Sequence, residues 1–284
     1  MNCVLFIHKE SGVTSRDVVY KICKIYHTKK VGHTGTLDPL ATGVLVVCLG
    51  SYTKLVSKIT SYEKEYVATM KLGILTDTGD ITGKIIKKIN KEISEEKIRK
   101  CFEKFPKEYL QTVPKYSAVK VNGKKMYEYA RENIEISLPK RQVQIKELEV
   151  LNISKDEITF RVLVSKGTYI RSLIEDLASE MEMVATMTSL KRTKQGNISL
   201  EECVNVNDLN ETYPLKTLEN LFLYPKVELD EVNFGRVKNG NKLALEAKDD
   251  LIFVTHNDQM WVFTKKMTIF IGLFSKQFSH QVFT

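Results

Sequence analysis

The 284-residue sequence predicts an α+β fold with a small β-rich domain at its C-terminal end. Three observations support this prediction. Several short segments alternate apolar and polar residues with a period of two, which is typical of strands with one buried face. Three other segments repeat apolar residues at helical spacing. After Pro225 the chain contains only short strand patterns that are separated by turns.

The composition is that of an ordinary globular protein with an excess of positive charge. Hydrophobic residues make up 43% of the chain, charged residues 27%, and the formal net charge is +8. This balance favours a polyanionic partner such as nucleic acid. The five cysteines form no C-x-x-C pair, and the five histidines lack metal-ligand spacing, which argues against a disulfide framework or a zinc site. We expect a cytoplasmic protein with no signal peptide and no membrane span.

The first half of the chain alternates strands with short helices. Residues 4–7 predict a strand, and Thr14 is a candidate N-cap for a helix whose apolar face carries Val18 and Ile22. A polar, glycine-rich loop then leads into the apolar run 44–49, which is typical of a buried strand. The next elements predicted are a helix over 52–61, a strand over 65–72 and a second strand over 84–89, the two strands joined as a hairpin with a long polar connection.

The middle of the chain contains an irregular, basic segment. Ser94 is a candidate cap for an amphipathic helix, and residues 109–141 follow with little periodicity. Lysines and arginines interleave with tyrosines there, a composition that suits contact with phosphates and unpaired bases. Asn122-Gly123 is a hairpin turn signal within it. An ordinary surface excursion is the alternative explanation of the same residues.

The last third contains two strands, a helix and the C-terminal domain. Strands are predicted over 142–153 and 157–165, and the following helix has Arg171 in its first turn. A cation there opposes the helix dipole, so Arg171 either has an anionic partner or is a surface residue. Residues 187–200 show a mixed pattern, and 205–214 look like a boundary. The C-terminal domain is predicted from strands and turns, namely strands over 226–229, 251–255, 259–263 and 268–274 and turns at Gly235 and 239–241.

One residue of the glycine-rich loop is a candidate for chemistry. Pro39 restricts Asp38 to an extended conformation at the mouth of a strand, where a carboxylate can act as nucleophile or general acid–base. An ordinary Asp-Pro turn is the simpler explanation from local chemistry alone. The chain has no phosphate-binding P-loop and no dinucleotide-binding motif, and Ser117 lacks partners for a hydrolase triad.

The loop and four further blocks together resemble a known family. Residues 32–43, GHTGTLDPLATG, resemble the signature of the TruB family, the bacterial tRNA pseudouridine-55 synthases. The supporting blocks occur in the family's order, at 9–15, at 64–66 with 76–78, at 116–131, and at 165–171 followed by 190–192. The resemblance covers residues 3–200, and the tail more weakly resembles a PUA-type RNA-binding domain. The chain departs from the family pattern at Glu10, Val113, Asn133, Ala178 and Glu182, where proline or glycine is usual.

The resemblance implies a fold and a division into domains. The expected pseudouridine-synthase fold is a mixed, largely antiparallel sheet flanked by helices. It would occupy residues 1–223, with an RNA-gripping insertion over about 109–141, and a PUA-like domain would occupy 224–284. The resemblance also implies a monomer.

The resemblance further implies a reaction, the isomerisation of uridine 55 in the T loop of tRNA to pseudouridine, without a cofactor or metal. Asp38 would act on the nucleotide, by attack on the sugar, by attack on uracil C6 or by removal of a sugar proton. Arg171 would pair with Asp38 and keep it ionised and aimed. Tyr66 would stack on the uracil and relay the C5 proton, and Leu190 would pack on the base and keep the pocket dry.

The remaining implied roles concern the RNA. A uridine inside a folded loop must be flipped out to react, and His33 would fill the space that flipped bases leave. The candidate phosphate contacts are Lys9, Lys120, Lys124, Lys125 and Arg131. Three rival hypotheses stay open, namely a noncatalytic RNA-binding or tRNA-folding protein, a guide-dependent synthase acting on ribosomal RNA, and a DNA-binding regulator.

Overall fold

The computed structural model describes residues 1–217, 221, 226–239, 251–256 and 259–264. Within these residues a ten-stranded mixed sheet, here called the main sheet, dominates the fold. The strands are β1 (Cys3–Lys9), β2 (Val31–His33), β3 (Thr42–Leu49), β4 (Lys64–Leu72), β5 (Ile74–Thr76), β6 (Ile85–Lys88), β7 (Glu108–Thr112), β8 (Lys120–Val121), β9 (Lys124–Lys125), β10 (Lys140–Ser154), β11 (Glu157–Val164), β12 (Ala185–Gln195), β13 (Ile198–Ser199), β14 (Val204–Asn205), β15 (Lys226–Glu228), β16 (Leu251–His256) and β17 (Gln259–Thr264).

The helices of the described residues are short, with at most eleven residues each. Thr14 caps the first helix as predicted, because its hydroxyl accepts from the Asp17 backbone while the Asp17 carboxylate accepts from the Thr14 backbone. Ser94 caps the third helix in the predicted way. The helices are α1 (Ser15–Ile25), α2 (Val56–Thr60), α3 (Glu95–Lys104), α4 (Met126–Arg131), α5 (Ile170–Glu180) and α6 (Glu231–Lys238), with single 3₁₀ segments at Gly50–Leu55, Leu200–Glu202 and Val206–Asp208.

The order of strands in the main sheet is β14-β1-β3-β12-β4-β11-β10-β7, with β2 added to β3 and β13 to β12. Neighbouring strands are mostly antiparallel, but β12 runs parallel to β3 and β14 runs parallel to β1. Most of the segment 187–200, which showed a mixed pattern in the sequence, belongs to β12, an eleven-residue strand at the centre of the sheet. Its register places Arg192 beside Gly43 on one side and beside Tyr66 on the other.

Gly43 is required by this central packing. Its φ is +107°, and a Cβ atom there would lie 2.1 Å from the carbonyl oxygen of Arg192. Any other residue would therefore push β3 and β12 apart at the point where β3 begins, just after the loop that contains Asp38.

Burial explains which strands were easy to recognise. The middle strands β1 and β3 are buried on both faces, with Leu5 and Leu45 in one apolar cluster and Val4 and Val44 in a second. Such strands read as continuous apolar runs. By contrast, β11 alternates buried and half-buried residues, because α3 and α5 cover only one face of this part of the sheet.

Two excursions leave the main sheet. The predicted hairpin between 65–72 and 84–89 is wrong, because β4 pairs with β11 and β12 within the main sheet. Instead, β6 pairs with β5, a short strand that follows β4. The predicted insertion, 109–141, shares its ends with β7 and β10, and the part outside the sheet begins at Val113, whose amide donates to Pro139 O at 2.9 Å. The strands β8 and β9 form a hairpin at Asn122-Gly123, whose φ angles of +51° and +83° suit the turn that Asn-Gly favours.

The described residues of the C-terminal region form a three-stranded sheet in the order β15-β16-β17, in agreement with the strands predicted at 226–229, 251–255 and 259–263. The turn predicted at Gly235 is wrong, since Gly235 lies inside α6. The Asp230 carboxylate caps the start of this helix, where it accepts from the Asn233 amide at 2.7 Å. The strand predicted at 268–274, most of the turn at 239–241 and the domain boundary at 223/224 lie outside the described residues.

The predicted boundary over 205–214 is part of the main fold rather than an exposed linker. Leu209 is only 7% exposed and joins the larger apolar cluster, against which Tyr213 also packs. Among the described residues, no helix has the length and apolarity needed to cross a membrane.

Candidate active site

Asp38 lies in the connection between β2 and β3, in a segment here called the Asp38 loop (residues 34–40). The neighbouring Leu37 is 2% exposed and anchors the loop in the core, whereas the Asp38 side chain keeps 29% of its surface exposed. The Asp38 carbonyl accepts from the Ala41 amide at 3.0 Å, which closes the turn. The carboxylate is thus fixed at its base and open toward solvent.

Arg171 has the anionic partner that its position in the helix predicted, and this partner is Asp38. Its Nε lies 2.9 Å from Asp38 Oδ2, and its Nη2 donates to Asp38 Oδ1 at 3.1 Å. The two residues are 133 positions apart in the sequence. The Arg171 side chain is 5% exposed. A planar guanidinium that binds both oxygens fixes the direction of the carboxylate.

Arg171 also ties two other segments to this pair. Its Nη1 donates to Thr78 O at 2.9 Å, and its Nη2 donates to Tyr116 O at 2.9 Å. The start of α5 is held by the buried amide of Gln111, which donates to Tyr169 O at 3.1 Å and accepts from the Tyr169 amide at 2.7 Å. Helix α5 therefore presents Arg171 in a defined position to the loop, to the β5–β6 hairpin connection and to the insertion.

Tyr66 lies on β4, 7% exposed, with its ring toward the same apolar cluster as Leu37 and Leu190. In the sheet register Tyr66 pairs with Arg192, and the next inward residue, Ala68, pairs with Leu190. Leu190 is also 7% exposed. Tyr66 and Leu190 are therefore near neighbours on one face of β4 and β12.

Arg192 is a residue of the site to which the sequence reasoning gave no role. It is 1% exposed, its Nε donates to the Tyr66 hydroxyl at 3.3 Å, and its guanidinium carbon lies 5.6 Å from the Tyr66 ring centroid. It also donates to Gly35 O at 3.3 Å and to Thr36 O at 3.1 Å. The only signal in the sequence was its place two residues after Leu190 in a matching block.

His33 precedes the Asp38 loop at the end of β2 and is half-buried. Its Nδ1 accepts from the Gly35 amide at 3.3 Å. Burial, with the positive charge of Arg192 as a second cause, lowers the pKa of His33 below its usual value. His33 is consequently a neutral imidazole at pH 7 whose Nε2 carries the proton.

The structure contradicts the predicted role of Lys9. Its side chain is fully buried, at 0% exposure, and its Nζ donates to the carbonyls of Glu10 at 2.8 Å, Val13 at 2.7 Å and Pro39 at 3.4 Å. Burial lowers its pKa to about 8 despite the opposing charge of Asp38. Lys9 supports the Asp38 loop from below and is not available to phosphate.

The other predicted cations lie on the insertion and remain accessible. Lys120 and Arg131 are exposed, and Lys124 and Lys125 are half-buried. The ring of Tyr127 lies 5.4 Å from both Lys125 Nζ and the Arg131 guanidinium, and Lys124 Nζ lies 5.0 Å from the ring of Tyr129. Lys124 also pairs with Glu132. These tyrosine rings, flanked by cations, form a surface that suits an RNA backbone and its bases.

Buried basic side chains lie around the Asp38 loop. Arg192 and Lys64, which is 7% exposed, both lie close to Gly35. Burial first, and then the charges of Arg192 and Lys166, lower the pKa of Lys64 to about 7. The exposed carboxylate of Asp38 is therefore paired with Arg171 in a loop that also binds Arg192, whereas Lys64 is only partly protonated at pH 7. Within the described part of the chain, no three His, Cys, Asp or Glu side chains are grouped to hold a metal ion.

Comparison with known proteins identifies the family of the chain. Residues 23–170 match the TruB family pseudouridylate synthase (N terminal domain). The chain is 42% identical to tRNA pseudouridine synthase B of Clostridium tetani over 98% of its length and 97% of the relative's length. It is 40% identical to tRNA pseudouridine synthase B of Bacillus pumilus, over 93% of this chain and 89% of that protein.

Solved structures give a consistent but more distant likeness. An H/ACA RNP bound to a substrate RNA containing 2′-deoxyuridine matches 92% of this chain and 77% of its own, with a TM-score of 0.69 and 26% identity. A Cbf5-Nop10-Gar1 complex matches 92% of this chain and 78% of its own, with a TM-score of 0.67 and 28% identity. From the match over more than half of its length and from its near full-length relatives, the chain belongs to the TruB family of pseudouridylate synthases.

Proposed function

We propose that this protein isomerises uridine 55 in the T loop of tRNA to pseudouridine. The observation that carries the proposal is the Asp38–Arg171 pair, in which a buried guanidinium binds both oxygens of a solvent-open carboxylate within the family's signature loop. The relatives named tRNA pseudouridine synthase B cover nearly the whole chain. They favour a tRNA substrate over the guided ribosomal RNA of the second rival hypothesis.

The reaction is an isomerisation in which no atom is gained or lost. The N1–C1′ bond of the nucleotide breaks, the uracil rotates, C5 bonds to C1′, and the C5 proton moves to N1 through solvent. Asp38 acts as nucleophile at C1′ or C6, or as the base that removes a sugar proton, and each of these roles needs an ionised carboxylate aimed at the nucleotide. Arg171 supplies the aim, because its guanidinium binds both oxygens of the carboxylate.

Tyr66 and Leu190 form the wall against which the uracil lies. Tyr66 stacks on the base, and its hydroxyl, which Arg192 holds at 3.3 Å, is the group on this wall that can relay the C5 proton. Leu190 contributes an apolar surface that excludes water and so strengthens the charge interactions at Asp38.

The substrate uridine reaches Asp38 after it has been flipped out of the T loop. His33, placed just before the Asp38 loop and neutral at pH 7, fills the space that the flipped bases leave. The insertion grips the flanking phosphates with Lys120, Lys124, Lys125 and Arg131. These contacts position the RNA, while the T-loop shape selects it.

The rest of the chain completes this assignment. Residues 1–223 form the catalytic domain with a pseudouridine-synthase fold, and 224–284 form a PUA-like domain that adds a second RNA-binding surface. The protein acts as a monomer in the cytoplasm, without cofactor or metal. Five free cysteines are in keeping with a reducing compartment.

The test is incubation of the purified chain with an unmodified tRNA transcript and, in parallel, with an isolated T-arm hairpin. We expect pseudouridine at position 55 in both, without a guide RNA, and none with Asp38→Asn. Pseudouridine formation that survives Asp38→Asn would refute the role of Asp38. A wild-type chain that binds and refolds tRNA but makes no pseudouridine would favour the noncatalytic rival, for which the basic insertion is the supporting observation.

A further inference from the structure

The backbone of the Asp38 loop is held along its whole length. Each carbonyl from Thr34 to Leu40 accepts a hydrogen bond within the fold. Those at positions 37, 39 and 40 accept from the segment 9–15, and that of Asp38 accepts from the amide of Ala41, just after the loop. Those at 34, 35 and 36 accept from two side chains of β12, Gln195 and Arg192. Asp38 thus lies between two independent sets of anchors.

Gln195 is the anchor at the beginning of the loop. It is 0% exposed, and its Nε2 donates to Thr34 Oγ1 at 2.7 Å, to Thr34 O at 3.2 Å and to Ile59 O at 3.3 Å. Its Oε1 accepts from Arg192 Nη1 at 3.4 Å. Both ends of one buried amide are therefore engaged, one with the loop and one with the arginine that reaches Tyr66.

Thr34 continues this chain of hydrogen bonds into β3. Its side chain is 0% exposed, its hydroxyl donates to Val46 O at 3.3 Å, and its amide donates to the same oxygen at 3.0 Å. The hydroxyl is the acceptor for Gln195 and the donor to β3, so its rotation is fixed. Thr34 itself lies between His33 and Gly35. The Gly35 amide donates to the His33 ring, and the Gly35 carbonyl accepts from Arg192.

We propose that Gln195, acting through Thr34, is a positioning residue for the reaction at Asp38. It touches neither substrate nor reacting atoms. It fixes the start of the Asp38 loop and, through Arg192, the hydroxyl of Tyr66. A buried amide costs desolvation that an apolar side chain of the same length would avoid, so its value lies in orientation rather than packing. This inference rests on the proposed pseudouridine synthase function.

The test compares substitutions that remove the polar atoms and keep the shape. Gln195→Met removes both ends of the amide, and Thr34→Val removes only the hydroxyl. We expect the single-turnover rate on tRNA, with protein in saturating excess, to fall roughly 10-fold to 100-fold in Gln195→Met. The dissociation constant for tRNA should stay within about twofold, because no RNA contact is removed. In the double variant that combines Gln195→Met with Thr34→Val, the loss of rate should equal that of Gln195→Met alone.

Two further variants separate positioning from stability. Thr34→Ser restores the hydroxyl and should recover most of the rate that Thr34→Val loses, which keeps the test decisive even if Gln195→Met does not fold. Thr159→Val is the matched control, since it removes the 3.0 Å Thr69–Thr159 hydroxyl contact elsewhere in the same sheet and should leave the rate unchanged.

Each outcome bears on a different statement. If Gln195→Met and Thr34→Val melt at lower temperature but turn over at the wild-type rate, Gln195 is only structural and the inference is wrong. Equal losses of rate and tRNA affinity would also overturn it. If the wild-type chain forms no pseudouridine, the proposed function is wrong and the inference falls with it. Active wild-type protein with unaffected variants refutes the inference alone.

Discussion

Replacing Arg171 tests whether the ion pair with Asp38 drives the chemistry. Arg171→Met keeps much of the side-chain volume but removes two contacts to the carboxylate, at 2.9 and 3.1 Å, and the donors to Thr78 O and Tyr116 O. Arg171→Lys keeps the charge and loses the planar geometry that reaches both oxygens.

The magnitude follows from the burial of the two partners. Loss of one preorganised donor aimed at a reacting group costs about 2.7–4 kcal/mol of transition-state stabilisation. Since the Asp38 side chain is 29% exposed and water can replace part of the lost contact, the lower end applies. At about 1.36 kcal/mol for each tenfold change in rate, a loss of about 3 kcal/mol slows Arg171→Met roughly 150-fold. Arg171→Lys loses one charge-assisted hydrogen bond worth about 1.5–3 kcal/mol, which corresponds to roughly 10-fold to 150-fold.

The assay uses tRNA labelled with tritium at uracil C5, because bond formation at C5 releases that hydrogen to water. Single-turnover conditions with saturating protein measure the chemical step, and a filter-binding titration measures tRNA affinity separately. The matched control is Arg161→Met, which also breaks contacts to carboxylates, with Glu147 at 2.7 Å and Glu149 at 3.0 Å on β10 and with Glu65 at 3.1 Å on β4.

The reasoning predicts a loss of rate in Arg171→Met with a smaller change in affinity, and neither loss in Arg161→Met. Wild-type turnover by Arg171→Met would refute the role of the pair. Equal loss of rate and affinity would assign Arg171 to RNA binding through the insertion. An equal loss of rate in the control would mean that the sheet, and not the pair, had been disturbed.

Three more predictions concern stability and RNA binding. Burial lowers the pKa of Lys64 to about 7 from 10.5, so between these values the unfolded chain holds a proton that the folded chain lacks. In denaturant titrations from pH 7 to 10.5, the free energy of unfolding of the wild type should therefore rise with pH relative to that of Lys64→Met, by at most about 1.4 kcal/mol per pH unit. A difference between the two proteins that does not depend on pH would contradict the burial argument. Lys125→Ala and Arg131→Ala should each weaken tRNA binding and reduce the slope of log affinity against log salt by about 0.7–0.9, whereas an unchanged slope would exclude a phosphate contact. Deletion of residues 226–284 should weaken binding of whole tRNA and spare the reaction on an isolated T arm, and unchanged affinity for whole tRNA would exclude an RNA-binding role of the tail.

Most elements were predictable because their burial leaves a periodic pattern. The strands β1 and β3 are buried on both faces and read as apolar runs, and the caps at Thr14 and Ser94 mark helix starts directly. The strand β12 was missed for the opposite reason. It carries Arg192 and Gln195 on buried positions, so the polar residues that serve the site break the period-two pattern of the strand.

The site required information that no local pattern contains. Asp38 and Arg171 meet only after the sheet has formed, and the family resemblance supplied their pairing in advance of the structure. Lys9 has the composition of a surface lysine, and only the packing of the Asp38 loop over the end of β1 shows that it is buried. Asn133 and Glu182 stand where the family commonly has glycine, and both adopt left-handed φ angles, of +54° and +58°, that glycine adopts without strain.

The position of the Tyr116 carbonyl has a consequence for how substrate binding and chemistry are connected. One nitrogen, Arg171 Nη2, donates both to Asp38 Oδ1 at 3.1 Å and to Tyr116 O at 2.9 Å in the insertion. An RNA that moves the insertion therefore changes the hydrogen bonding of the arginine that orients the acid. Coupling free energies are reciprocal, so neutralising Asp38 must alter the docking of the insertion by the same amount. The docking of the insertion on the RNA and the orientation of the Asp38 carboxylate are thus parts of a single equilibrium.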